Sequence, residues 1–137
     1  MLQTLKASYR GRLAPPLGGF VYRFTLFLPI LSEGRPVFTD VQREALAKLF
    51  HSCMRGFTET MAESNPPWYG SWAPPGGRRP IIDCHTLMVV YTPQIDEAKD
   101  FFGQLRWILE QKQVANQEVV LIEHTTAWLV ERTPLLH

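Results

Sequence analysis

The spacing of the apolar residues alternates along this chain between two and four, and that alternation constrains the fold more than any motif does. Over residues 20–28, Phe20, Tyr22, Phe24, Leu26 and Leu28 recur at every second position, with Val21, Arg23, Thr25 and Phe27 between them. Aromatic and β-branched residues at that period read as a strand with one wholly apolar face. From Val41 the period changes. Val41, Ala45, Leu49, Cys53, Phe57 and Met61 stand four apart, with Leu46, Phe50 and Met54 beside them. Only a helix gathers such a stripe on one side. Thr39 with Gln42 three residues on is a capping box at its start. Gly56 interrupts the stripe at modest cost, and Asn65-Pro66-Pro67 stops it.

The same alternation then repeats. Residues 68–72 read as a short strand, residues 73–80 as a loop rich in proline and glycine, and residues 81–91 as a long strand. A second helix opens with Thr92 as N-cap, Pro93 in the first turn and Asp96 and Glu97 where the helix dipole favours anions. Its stripe is Ile95, Ala98, Phe102, Leu105 and Leu109, with Phe101, Trp107 and Ile108 flanking. Residues 118–130 form the last strand. The order strand, helix, strand, strand, helix, strand predicts an α+β fold, the ferredoxin-like α/β plait (βαββαβ). Its four-stranded antiparallel sheet would run 4-1-3-2 with two helices on one face. Residues 1–19 contain Pro15-Pro16 and Gly18-Gly19 and read as a flexible N-terminal arm. Residues 20–130 are the domain, and 131–137 a C-terminal tail.

Composition bounds the function. At 137 residues the chain is one domain, large enough to bury a core without a metal or disulfide staple. A net charge of +1 argues against a dedicated nucleic-acid binder. The charge is uneven: Lys6, Arg10, Arg12, Arg23 and Arg35 face only Glu33 in the first 35 residues, whereas acids outnumber bases from residue 94 onward. Cys53 and Cys84 form no CxxC and read as buried free thiols of a reducing cytoplasm. No apolar stretch has the length of a signal-peptide core or a membrane span.

The sheet face away from the helices is the most informative surface. In a wetted antiparallel sheet it is polar. Here it receives Ile81, Leu87, Val89 and Tyr91 from the third strand and Val21 and Phe27 from the first. The fourth strand is apolar on both sides, through Val119, Leu121, Ala127 and Leu129 or through Val120, Ile122, Trp128 and Val130. An apolar patch of that extent marks an interface, so a homo-oligomer joined through the open sheet face is expected. Residues 1–19 folding over the patch is the alternative.

Two sets of residues have the chemistry of a site. Asp83 and His85 share one strand face, and Glu123 and His124 point oppositely on the last strand. With Arg23 on the intervening strand they make a polar row able to move protons or, at lower rank, to hold Zn²⁺. The plainer reading is that these groups satisfy one another. The second set is Trp68, Tyr69 and Trp72 with Arg78 and Arg79 around Gly76-Gly77. There, backbone N–H groups and guanidinium forks can take an anionic or planar ligand. Its plainer reading is an exposed hairpin. No glycine-rich phosphate string, no GxSxG and no cofactor motif is present. His51 reads as a partly exposed helical residue.

The element order is shared by PII-type and CutA-type signalling trimers and by dimeric α/β-barrel proteins that include small monooxygenases. That likeness is one of topology alone and transfers no residues. Three functions follow as expectations. The first is a small oligomeric cytoplasmic binding or regulatory protein recognising a small ligand, anions among those that fit, or a protein partner through the hairpin loop. The second is a dimeric α/β-barrel enzyme for a small hydrophobic or aromatic substrate, with His85 or His124 as acid/base and Asp83 orienting it. The third is a purely structural assembly domain.

Overall fold

The computed structural model describes residues 1–15, 18–32, 34–59, 68–72, 76, 79, 81–111 and 120–130. The fold is mixed α+β. In chain order the elements are α1 (Leu2–Tyr9), β1 (Gly19–Ser32), β2 (Arg35–Pro36), α2 (Asp40–Met54), β3 (Thr58–Glu59), β4 (Trp68–Trp72), β5 (Ile81–Thr92), α3 (Ile95–Glu110) and β6 (Leu121–Leu129). The long strand β1 runs antiparallel to β5 on one edge and to β6 on the other. Beyond β5, β3 and β4 pair with separate stretches of its far edge, also antiparallel.

Register explains the core. Phe24 lies between Val90 and His124, Leu26 between Met88 and Ile122, and Leu28 opposite Thr86. The even-numbered residues of β1 and β5 therefore share one side, and Phe24, Leu26, Leu28, Thr86, Met88, Val90 and Thr92 are buried there. All three helices close over that side. The Phe101 ring meets Tyr9 of α1 edge-on at 5.4 Å, Phe50 of α2 at 6.4 Å and its neighbour Phe102 at 5.0 Å, and Phe102 stacks on Phe24 of β1 at 4.6 Å. This aromatic chain joins every layer. Each fully buried ring contributes roughly 1.5–3 kcal/mol through burial alone.

The N-terminal segment departs from the expected arm. Leu2, Leu5, Tyr9 and Leu13 recur at helical spacing, and the first three belong to helix α1. The glycines and the Pro15-Pro16 pair fall beyond the helix and do not oppose it. Leu5, Tyr9 and Leu13 are buried in the main core. The turn after the helix is fastened to the end of α2: the Gly11 N–H donates to the Ser52 carbonyl at 2.7 Å and the Leu13 N–H to that of Cys53 at 3.0 Å. Gly11 does so at φ +71°, where a side chain would be strained. The expected pair of helices is thus three.

Other boundaries move for local reasons. The capping box forms as read, with the Gln42 N–H donating to Thr39 Oγ1 at 3.1 Å and the Thr39 N–H to Gln42 Oε1 at 2.9 Å. The helix nonetheless stops at Met54, well short of Met61. Arg55 takes a left-handed φ of 64°, and Phe57 folds back onto the rings of Phe50 and His51. The buried face is Leu46, Leu49, Phe50, Cys53 and Met54, and Val41 is exposed. Strand β1 continues past Pro29, where the register with β5 shifts between Pro29 and Leu31. A proline has no N–H for the ladder, and a bulge accommodates the loss. Helix α3 starts at Ile95, because Thr92 stays in β5 and accepts from the Gln94 N–H at 3.3 Å.

The placement of α1 makes a sharp expectation. Leu5→Ala removes a side chain only 1% exposed and is expected to lower unfolding stability by about 2–4 kcal/mol, read as a lower urea midpoint. A change within about 0.5 kcal/mol, as for an exposed position, would mean that the segment does not pack.

Candidate functional site

The odd-numbered residues of β1 and β5 face away from the helices. Opposite Tyr91 lies Arg23, opposite Val89 lies Thr25, and opposite Leu87 lies Phe27. On the other edge Arg23 meets Thr125, Thr25 meets Glu123 and Phe27 meets Leu121. Arg23, Thr25, Phe27, Leu87, Val89, Tyr91, Glu123 and Thr58 of β3 line a hollow of about 520 Å³. That volume lies within the range of small-molecule sites.

The floor of the hollow is apolar and aromatic: Phe27, Leu87, Val89 and Tyr91 are all half-buried. Its polar groups are spaced around that floor. Arg23 and Glu123 are exposed and occupy diagonal positions on adjacent strands. Among the described residues neither takes part in an ion pair, whereas Arg12–Glu97, Lys48–Glu44 and Arg106–Glu110 do. A guanidinium and a carboxylate are thus both presented beside an apolar surface, with Thr25 adjacent on β1 and Thr58 across β5 at the far side of the hollow.

The sequence-predicted polar row comes together only in part. Arg23 and Glu123 share this face. His85 lies opposite Pro29 and Asp83 opposite Ser32. His85 is therefore six positions along β5 from Tyr91, roughly 20 Å from Arg23 at about 3.4 Å per residue. His124 lies on the other face, with its ring stacked on Phe24 at 5.3 Å. The long antiparallel register separates these groups, and His85 and His124 lie on opposite faces of the sheet. Asp83 pairs through its backbone with Gly70 of β4, and His85 with Trp68. Tyr69 and Trp72 lie opposite Cys84 and Ile81 on the same strand pair. Of the loop set, Arg78 lies outside the described residues and Arg79 is exposed. Among the described residues no three His, Cys, Asp or Glu side chains gather as a metal site.

Sequence reasoning named Arg23 and listed Phe27, Leu87, Val89 and Tyr91 for the open face, where it expected contact with a second copy; Val21, listed with them, is buried at 1% exposure. It missed Thr58, whose short strand β3 is brought to the hollow by the early end of α2. A second concavity of about 580 Å³ lies between α1 and α3, lined in part by Leu5, Tyr9, Gly103, Gln104 and Trp107. Thr4, Lys99 and Asp100 also line it, and within it Gln104 Nε2 donates to Tyr9 Oη at 3.2 Å.

The two cysteines are free and differ in setting. Cys84 is half-buried, short of the full burial expected for it, whereas Cys53 is sealed at 0% exposure. Burial pushes the Cys53 thiol above its ordinary value of 9.0, partly offset by the positive charges of Arg10 and Lys6. A raised folded value means that the unfolded chain releases the proton first. Stability is therefore fully present below about pH 9 and falls as pH rises through the folded value. A Cys53→Ala variant is expected to lose part of the alkaline decline in urea midpoint, and an aromatic disulfide reagent at neutral pH is expected to titrate Cys84 before Cys53.

No described helix is long and apolar enough to cross a membrane. Comparison of the chain with protein-family models, with curated proteins and with solved structures finds no match.

Proposed function

We propose that this protein is a small-ligand-binding module of the ferredoxin-like α/β plait type, and that its ligand sits on the open face of the sheet. The strand sequence β6–β1–β5–β4, antiparallel throughout, supports the plait. One observation carries the binding reading: an apolar hollow bordered by a guanidinium and a carboxylate that have no ion-pair partner among the described residues. Water leaves an apolar floor at little cost, and a charged group held beside it is available to fix the orientation of a guest. The guest that fits has an aromatic or branched apolar body ending in a carboxylate. Its oxygens take the two N–H groups of the Arg23 fork, and its body covers Phe27, Val89 and Tyr91. Glu123 is placed to accept from an amine or hydroxyl on the same guest.

This moves the expected recognition surface from the hairpin loop to the sheet while keeping the anionic ligand class. Binding is favoured over the α/β-barrel enzyme because neither His85 nor His124 lines the hollow. The free thiols are in keeping with a reducing compartment.

Calorimetric titration with aromatic and branched-chain carboxylates, each beside its uncharged amide, tests the reading. The carboxylate is expected to bind more tightly than its amide. Arg23→Gln is expected to cost roughly tenfold in affinity or more, in line with a hydrogen bond to a charged group. Equal affinities for acid and amide, or an Arg23→Gln protein that binds like wild type, would remove the guanidinium from the site.

A further inference from the structure

Among the described residues, β6 is a long strand with one edge that no other strand joins. From Gly19↔Leu129 to Phe27↔Leu121 the strand follows β1 without a register shift, and among the described residues β1 is its only partner strand. Among the described residues, no strand joins the backbone N–H and C=O groups of its second edge. Natural sheets guard such an edge with proline, lysine, a bulge or a short strand. Leu121–Leu129 has none of these: its sequence is LIEHTTAWL and its only formal charge is Glu123.

That sequence has a second property. About its midpoint, Thr125, the strand sets Leu121 against Leu129 and Ile122 against Trp128 at its ends, with Glu123 against Ala127 and His124 against Thr126 between, so that no like charges meet. A twofold contact needs a surface complementary to itself, and this strand is one. We infer that two copies of the chain pair antiparallel along β6, about a twofold axis that passes through Thr125 normal to the sheet.

In that register apolar side chains meet at both ends and hydroxyls at the centre. Leu121 faces the partner's Leu129, and Ile122 faces the partner's Trp128. Thr125 faces the partner's Thr125, a favourable cross-strand pair. Glu123 faces the partner's Ala127, so no like charges oppose each other. Leu121 and Trp128 are 53% and 58% exposed in the single chain, and the pairing covers both. The axis preserves the faces, so the two hollows open on the same side of one continuous sheet and stay accessible. The inference therefore stands apart from the ligand reading. A seam of one strand falls at the small end of specific interfaces, under about 1,200 Å², so the dimer is expected to dissociate on dilution.

Analytical sedimentation across a dilution series tests it. Wild type is expected to pass from dimer to monomer. Thr125→Lys and Thr125→Glu each place like charges on the axis and are expected to weaken self-association by about fivefold or more. An equal mixture of the two is expected to restore it, which misfolded variants would not do. Val89→Asp, at the centre of the open face, is expected to leave the dimer intact. In wild type, hydrogen exchange is expected to show alternate β6 amides protected at high concentration and released on dilution. The inference is overturned by a wild-type monomer up to its solubility limit. It is also overturned by a Thr125→Lys dimer as tight as wild type, by dissociation with Val89→Asp, or by β6 amides whose exchange ignores concentration.

Discussion

Strand β1 is hydrogen-bonded along both edges, to β5 on one and to β6 on the other, so each of its side chains is committed to one of two environments. A slip of one residue in either ladder would carry Phe24, Leu26 and Leu28 to the open face and Arg23 into the aromatic core. The cost of burying an unpaired guanidinium and of exposing three large apolar groups holds the register. Everything on the sheet follows from that choice. The core forms where even positions meet three helices, and the hollow forms where odd positions meet none.

The helices reinforce the choice through Phe101. Its ring touches α1 and α2 directly and reaches β1 through Phe102. The half-exposed ion pair of Arg12 with Glu97 at 3.2 Å adds little in comparison. More consequential is that the turn after α1 donates backbone N–H groups to the last carbonyls of α2. These are carbonyls that the end of a helix leaves open, so one element's terminus supplies what the other's lacks.

Much of the architecture was legible in the sequence wherever a pattern was long. The period-two run of β1, the capping box at Thr39 and Gln42 and the core side of β5 could all be read directly, because each reflects a local rule. What was missed depended on short or competing signals. Helix α1 shows only Leu2, Leu5 and Tyr9 on its stripe, and the proline and glycine residues beyond it drew the eye. The end of α2 turned on Arg55 adopting a left-handed conformation that arginine does not favour, which the fold-back of Phe57 onto Phe50 sustains. The site was half visible. Arg23 and the apolar residues of the open face were named from the pattern, but their alignment with Glu123 depends on the β1–β6 register, and no property of either strand alone fixes that number. The same register separates His85 from Arg23, which the sequence had placed in one row.

The pairing of β1 with β6 has a bearing on how the chain is made. During synthesis β6 emerges about a hundred residues after β1. Until β6 leaves the ribosome, the nascent sheet carries β1 with an unmatched flank of alternating aromatics. Contacts of such long range close slowly. A pause or truncation between α3 and β6 would leave that flank open to other chains, so premature termination in this short stretch should yield insoluble rather than merely inactive product.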